Sequence, residues 1–105
     1  MAEYRAVRDP KRPALHPGAL LREEILPALK RPKAEIARLL GISRQHLYDI
    51  LEERKPVTPA TALRLGKLLG NGAEFWVDLQ RTYDLAEAEK ALAKALKNIP
   101  TIVAA

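Results

Sequence analysis

The stretch "AEIARLLGISRQHLYDIL", residues 34 to 51, predicts two helices that are joined by a short turn. Ala37 is small enough for the second helix to approach the first, and Gly41 tolerates the positive φ that such a turn requires. The apolar residues that would meet between the two helices and the rest of a core are Ile36, Leu40, Ile42, Leu47 and Ile50. This register predicts a helix-turn-helix, although an ordinary helical hairpin would pack in the same way.

The solvent face of the second helix of this unit favours DNA as its partner. Arg44 and Gln45 stand in the first turn, and their side chains pair bidentately with the edges of guanine and adenine. One turn further on, Asp49 suits the amine of cytosine, and Tyr48 suits a thymine methyl group or a phosphate. The remaining candidates for DNA contact, most of them suited to phosphates, are Lys33, Ser43, His46, Arg54 and Lys55.

Charge supports a polyanionic partner only weakly. The 105 residues contain 18 Lys and Arg against 13 Asp and Glu, a net charge of +5, but these charges are spread along the chain. Glu52 and Glu53 would be repelled by phosphates, so we expect both carboxylates to point away from DNA. The basic residues of the N-terminal arm suit a neighbouring groove, and a solvated tail explains them equally well: Arg5, Arg8, Lys11 and Arg12.

Helical patterns dominate outside this unit as well, and no stretch alternates in the manner of a β-strand. The segment "HPGALLREEILPAL", residues 16 to 29, predicts a first helix with Pro17 in its first turn. His16 is expected to help start that helix, and Pro27 is expected to end or bend it near its last turn. Pro32 is expected to stand at the start of the second helix.

Polar caps and glycines mark the remaining helices. Ser43 is expected to cap the third helix, and Thr58 a fourth helix that closes at Gly70. A fifth helix, aromatic in its first half and alanine-rich in its second, is expected to end at Pro100. The chain is therefore predicted to be all-α, with five helices. We divide it into a flexible N-terminal arm, a helix-turn-helix DNA-binding domain and a C-terminal helical extension, over residues 1–14, 15–86 and 87–105.

Composition disfavours several function classes. The chain has no cysteine, which excludes disulfides and thiolate metal sites. It has no apolar run of about 20 residues and no N-terminal signal pattern, which predicts a soluble, cytoplasmic protein without a membrane partner. Ser43, His46 and Asp49 recur every three residues, but they drift around a helix by about 60° per step and so do not form a catalytic triad. We therefore expect no enzymatic activity, metal or cofactor.

Aromatic residues in the fifth helix predict a twofold contact between two copies of the chain. The candidate contact residues recur at helical spacing: Phe75, Trp76, Leu79 and Tyr83. Aromatic side chains are favoured anchors of interfaces, so this segment is predicted to form a homodimer. Three leucines would lengthen the contact: Leu85, Leu92 and Leu96. The alternative is that the same aromatic side chains pack into the protein's own core.

Four segments of the chain, in this order and spacing, resemble one known family. They are "HPGALLREEILPAL", "AEIARLLGISRQHLYDIL", "VTPATALRLGKLLG" and "EFWVDLQRTYDL". The segments are similar to the HigA-type antitoxins, also called VapI-like or addiction-module antidote proteins, of the Xre/Cro repressor-like class. The resemblance covers roughly residues 15 to 86 and is more specific than a helix-turn-helix alone.

The resemblance implies a five-helix, lambda-repressor-like fold that binds palindromic operator DNA as a dimer. It also implies a toxin encoded beside it, usually a RelE/HigB-like mRNA endonuclease, which the antitoxin neutralises. By family position, Arg44 and Gln45 begin the base-reading helix, Asp49 makes a later base contact, and Ser43 and Lys33 face phosphates. We expect the toxin to meet the N-terminal arm and the first helix.

Three departures from the family pattern leave other functions open. Pro32 stands where a capping serine or threonine is usual, and Glu52 and Glu53 replace the common Asn-Gly after the third helix. The alanine-rich stretch over residues 86 to 105 is a less typical extension. The alternatives are a transcriptional repressor without a toxin and a protein-interaction module that does not bind DNA.

Overall fold

The computed structural model describes residues 14 to 103, and within that range the chain forms five helices and no strand. Helix α1 consists of Pro17–Leu20, a π-helical turn over Leu21–Ile25, and Leu26–Leu29. The other helices are α2 (Lys33–Leu40), α3 (Arg44–Leu51), α4 (Pro59–Leu69) and α5 (Ala73–Lys97). This arrangement, with its long last helix, confirms the predicted fold class. The four basic residues predicted for the N-terminal arm lie outside the described range.

The helix ends follow the predicted capping chemistry closely. The Ser43 hydroxyl accepts from the backbone N–H of His46 at 3.0 Å, and the Thr58 hydroxyl accepts from that of Thr61 at 3.2 Å. Gly41 and Gly70 end α2 and α4 in the left-handed region, with φ of 75° and 78°. Pro32 stands at the start of α2 as its N-cap, as predicted. One detail differs, because α5 ends at Lys97, three residues before Pro100.

Pro27 changes the course of α1 without ending it. Proline has no N–H to donate to the carbonyl of Glu23, one turn earlier. Just before it, the N–H of Leu26 donates to the carbonyl of Leu21, five residues back, which widens the helix into the π-helical turn. The helix then continues to Leu29 and stops at Lys30, whose φ is 56°.

One core joins all five helices. Trp76 of α5 is fully buried, and its indole Nε1 donates to the side-chain oxygen of Asn71 at 3.0 Å, so burial leaves no unsatisfied donor. The apolar residues predicted between α2 and α3 all contribute, with Ile42 partly buried and the others fully buried. These observations confirm the helix-turn-helix register. The other buried side chains of this core include Leu21, Leu26, Leu51, Val57, Ala62, Leu65 and Leu79.

The second half of α5 extends beyond this core. The helix has 25 residues, and the described part of the chain measures 54 × 27 × 26 Å. Ala86 is the last buried residue, and every residue from Glu87 to Val103 is exposed. The core therefore includes only the first half of α5, and the second half has no packing partner among the described residues.

Candidate DNA-binding surface

The N-terminal end of α3 is exposed, whereas its opposite face is anchored in the core. Leu47, Ile50 and Leu51 are each only 1% exposed, so they fix the position of the helix in the domain. Arg44 and Gln45 are exposed in the first turn, with His46 half-buried beside them. A rigidly held helix end with exposed polar side chains matches the geometry that base recognition in a major groove requires.

Lys33 and Tyr48 lie together beside this helix end. The ammonium group of Lys33, at the start of α2, is 5.8 Å from the centroid of the Tyr48 ring, within the range of a cation–π contact. Both side chains remain exposed. The structure therefore places two of the predicted phosphate-facing residues next to each other, on the side of α3 that also carries Arg44.

Asp49 gathers three other predicted residues around its carboxylate. Its Oδ1 accepts from Gln45 Nε2 at 2.9 Å and from Arg54 Nε at 3.1 Å, and its Oδ2 is 3.5 Å from Lys55 Nζ. Asp49 is only 9% exposed. The hydrogen bond from Gln45, followed by that from Arg54, lowers the pKa of Asp49 below its ordinary value. The carboxylate predicted to contact a base is thus engaged by protein groups in this structure.

Asp49 also fixes the conformation of the loop that follows α3. The backbone carbonyl of Asp49 accepts from the N–H groups of Arg54 and Lys55, at 2.7 and 3.1 Å. These bonds close a tight loop that returns both basic side chains toward the exposed face of the helix. The four predicted residues Gln45, Asp49, Arg54 and Lys55 therefore form one polar cluster.

Arg22 of α1 holds the C-terminal end of α3, a role that sequence patterns did not predict. Its guanidinium donates to the backbone carbonyl of Leu51 and to Glu53 Oε2, the latter at 3.3 Å. Glu53 itself adopts a left-handed backbone with φ of 63°, which is the conformation that the glycine of the family pattern would take without strain. The ion pair with Arg22 directs the Glu53 carboxylate toward α1. In the sequence, only the replacement of the usual glycine by Glu53 indicates that the backbone here needs a stabilising contact.

The "HPG" segment fixes the start of α1 against the rest of the domain. His16 Nδ1 accepts from the backbone N–H of Gly18 at 2.9 Å, as predicted for a residue that starts the helix. The imidazole is buried and packs edge-on against Tyr83, with 4.8 Å between ring centroids. Burial lowers the pKa of His16, an effect that Glu53 and Asp84 oppose and Arg22 reinforces.

Two of the four residues predicted for the dimer contact lie in the protein's own core. Trp76 is 0% exposed and Leu79 is 8% exposed, because the first half of α5 packs them into the protein's own core. Phe75 is half-buried edge-on against Trp76, at 5.1 Å between centroids, and Tyr83 is half-buried against His16. The leucines predicted to lengthen the contact are the exposed ones: Leu85 (55%), Leu92 (49%) and Leu96 (46%).

Residues 14 to 103 contain no group of three or more His, Cys, Asp or Glu side chains arranged to hold a metal ion. Within the same range, none of the helices combines the length and apolarity needed to cross a membrane.

Comparison with known proteins identifies relatives of this chain, although no protein-family model matches it. Virulence-associated protein I of Dichelobacter nodosus is 38% identical over 78 residues, which cover 74% of this chain and 72% of that protein. The antitoxin HigA of Pseudomonas aeruginosa, whose structure was solved with the higBA promoter, is 35% identical with a TM-score of 0.81, over 88% of this chain and 100% of that one. A HigA-family addiction-module antidote protein of Coxiella burnetii is 34% identical with a TM-score of 0.80, over the same fractions of the two chains.

Proposed function

Because this chain belongs to the HigA-type, VapI-like family of helix-turn-helix antitoxins, we propose that it represses its own operon by binding operator DNA and neutralises a toxin encoded beside it. The observation that carries the DNA-binding part is the exposed N-terminal end of α3, anchored from behind by three buried residues. The relatives are antitoxins and transcriptional regulators, in agreement with the prediction that the chain is not an enzyme.

In this proposal α3 enters the major groove with its N-terminus leading. Arg44 and Gln45 are exposed in the first turn and read base edges. Lys33, Ser43, Tyr48 and the half-buried His46 lie around the same helix end and contact phosphates. On the far side of α3, Arg54 and Lys55 each have more than half of the side chain exposed while remaining paired with Asp49. Asp49 thereby aligns two further cations for the phosphate backbone.

The homodimer is proposed to form through the second half of α5. Successive residues of an α-helix turn by about 100°, so Leu92 and Leu96 lie within about 20° of Leu85 around the helix axis. That stripe lies about 180° from Trp76, on the side of α5 opposite the core. Ala88 and Ala95 border the stripe and are small enough for a second helix to approach closely.

Charge supports the same assignment. One side of α5 faces the core in the first half of the helix. In the second half, that same side is occupied by charged residues: Glu87, Lys90, Lys94 and Lys97. The second half of the helix is therefore amphipathic, and its apolar side lies about 180° around the helix axis from the apolar side of the first half. A solvated helix has no physical need for such a stripe, whereas a pairing helix does. A twofold axis at this contact would place two copies of α3 on half-sites of a palindrome one helical turn apart, or about 34 Å.

The toxin partner is proposed to be a RelE/HigB-like mRNA endonuclease, and we place its contact on the N-terminal arm and the exposed side of α1. The support for the toxin is family membership together with the antitoxins among the relatives. The location is chosen because α3 is assigned to DNA and the second half of α5 to the dimer, whereas the exposed side of α1 is assigned to neither.

Co-expression with the small reading frame adjacent to this gene tests the toxin part of the proposal. The neighbour is expressed alone and together with this protein, growth is followed, and a tagged copy of the neighbour is purified. We expect growth arrest by the neighbour alone, rescue by this protein, and a complex that copurifies. A harmless neighbour that does not copurify would contradict the antitoxin function and leave a repressor without a toxin. An Arg44→Ala variant is the matched control, because it should weaken operator binding but still rescue growth.

A further inference from the structure

The side chains of Gln45 and Asp49 meet one helical turn apart on α3, next to the proposed DNA-reading end. Gln45 Nε2 donates to Asp49 Oδ1 at 2.9 Å. A carboxylate has no hydrogen to donate, so it accepts only from the amino end of the carboxamide. Asp49 therefore decides which end of the Gln45 amide faces it. The oxygen and the second N–H of Gln45 remain available to another partner.

The orientation of this amide matters because adenine offers an acceptor and a donor in a fixed order. In the major groove N7 of adenine accepts and the N6 amine donates, and a glutamine pairs with both at once through its N–H and its oxygen. A flipped amide would present its oxygen to N7 and its N–H to the N6 amine, and both contacts would be repulsive. Recognition of adenine therefore requires one of the two orientations of the glutamine amide, and a contact that fixes this orientation beforehand favours the pairing.

The surroundings of Asp49 hold the carboxylate itself in place. Arg54 Nε donates to the same oxygen that Gln45 uses, at 3.1 Å, and Lys55 Nζ lies 3.5 Å from the other oxygen. With the side chain largely buried, these partners surround the carboxylate and leave it little freedom to turn toward a base. Because protein groups occupy its carboxylate, Asp49 is placed to act on the side chain of Gln45 and not on a base directly.

We propose that Asp49 is a positioning residue for base recognition, which holds the Gln45 carboxamide in the single orientation that reads adenine. The proposal rests on the DNA binding by α3 that is proposed above. It replaces the predicted contact between Asp49 and a cytosine amine with an indirect role, in which the sequence preference belongs to the Gln45–Asp49 pair. An asparagine at residue 49 has nearly the same shape but both donates and accepts, so it would permit either amide orientation.

The test measures base preference and not affinity alone. Binding sites are selected from random-sequence duplexes with the wild-type protein, and the Gln45→Ala variant identifies the base pair that Gln45 reads. At that position we expect the wild type to prefer adenine by about tenfold or more, and Asp49→Asn to reduce the preference to about threefold or less. Replacing that adenine by 7-deazaadenine, which lacks the N7 acceptor, should weaken wild-type binding much more than binding by Asp49→Asn.

Two controls separate positioning from a structural effect. Arg54→Ala removes a proposed phosphate contact and one cation beside Asp49, while Lys55 still pairs with the carboxylate and Gln45 still donates to it. The variant should therefore weaken binding to all sequences equally and leave the adenine preference intact. In the Gln45→Ala background, Asp49→Asn should cause no further loss of preference, because the two changes remove the same interaction.

The outcomes are distinct for the two proposals. An Asp49→Asn variant that keeps the full adenine preference, or a Gln45→Ala variant that changes no base preference, would overturn the positioning role while leaving DNA binding by α3 in place. A wild-type protein that enriches no sequence would overturn the proposed DNA binding and this role together. Loss of adenine preference in Asp49→Asn with retention in Arg54→Ala supports the proposal.

Discussion

The backbone of Gly18 lies directly against the carbonyl oxygen of Ile50, so close that a Cβ atom on residue 18 would overlap that oxygen. Gly18 is in the first turn of α1, and Ile50 is in the last turn of α3. This contact, together with the bond from Arg22 to the carbonyl of Leu51, makes α1 the support of the C-terminal end of α3. The position of the proposed recognition helix therefore depends on the segment that starts the fold.

The Gly18→Ala variant tests this contact because two effects predict opposite signs. Helix propensity alone would stabilise the protein by about 0.5–1 kcal/mol. The overlap with the Ile50 backbone cannot be relieved by a rotamer change, so we expect a net destabilisation of about 1–3 kcal/mol. Urea denaturation followed by circular dichroism measures the free energy of unfolding. Unchanged or increased stability would show that α1 and α3 are not in this close contact.

His16 should make stability depend on pH near neutrality. Burial favours the neutral imidazole, so its pKa is lower in the folded chain than the ordinary value of about 6.5 that applies when unfolded. As pH falls through 6.5, the unfolded chain takes up the proton first, so the stabilisation is complete above that pH and is lost on going below it, toward the lower folded pKa. Urea denaturation between pH 7.5 and 5 should show this fall.

An asparagine at residue 16 provides the control for that experiment. In His16→Asn the side-chain oxygen still caps α1 but does not titrate, so the slope between pH 6.5 and 5 should become smaller. An equally steep slope in His16→Asn would contradict the assignment of the pH dependence to His16.

The left-handed backbone at Glu53 should be measurable as strain. Replacing Glu53 by alanine removes its ion pair with Arg22 but keeps a Cβ atom, whereas replacing it by glycine removes both. The left-handed conformation costs a residue with a Cβ about 1 kcal/mol, so Glu53→Gly should be more stable than Glu53→Ala by about that amount. The ion pair is exposed by about a third and adds little. Equal stability of the two variants would mean that the backbone at residue 53 is not left-handed.

The apolar stripe on α5 gives a direct test of the homodimer. Leu92→Glu places a charge in the centre of the proposed contact, and we expect a monomer by sedimentation analysis that keeps the helical circular dichroism spectrum of the wild type. The matched control is Lys94→Glu, which introduces the same side chain on the charged side of the same helix and should remain a dimer. A dimeric Leu92→Glu protein would place the twofold contact elsewhere.

Much of the fold follows from short-range chemistry and could be predicted for that reason. The register of α2 and α3 depends on apolar spacing, and the ends at Ser43, Thr58 and Gly70 depend on single residues whose preferences are strong. The π-helical turn in α1 was not predicted. Its cause is the missing N–H of Pro27. A proline can either end or bend a helix, and the sequence alone does not show which of the two occurs.

The candidate site could be predicted in part only. Arg44 and Gln45 follow from their place at the start of a capped helix. The engagement of Asp49 depends on the loop after α3 returning Arg54 and Lys55 to the helix, which is a tertiary arrangement that local patterns do not contain. The aromatic cluster of α5 fits a core and an interface equally well, and only packing against the other helices shows that Trp76 and Leu79 belong to the core.

Binding to the DNA upstream of the gene, measured by fluorescence anisotropy with the wild type and with Arg44→Ala, tests the central claim most directly. We expect the wild-type affinity to fall by about 10³-fold or more between 50 and 200 mM salt, because a dimer would neutralise roughly six to ten phosphates. Arg44→Ala should weaken specific binding by about 1–3 kcal/mol and relax the preference at one base pair. Lys97→Ala removes the same charge from the far end of α5 and should have little effect. An Arg44→Ala variant that binds as tightly and selectively as the wild type would contradict the assignment of α3 as the recognition helix.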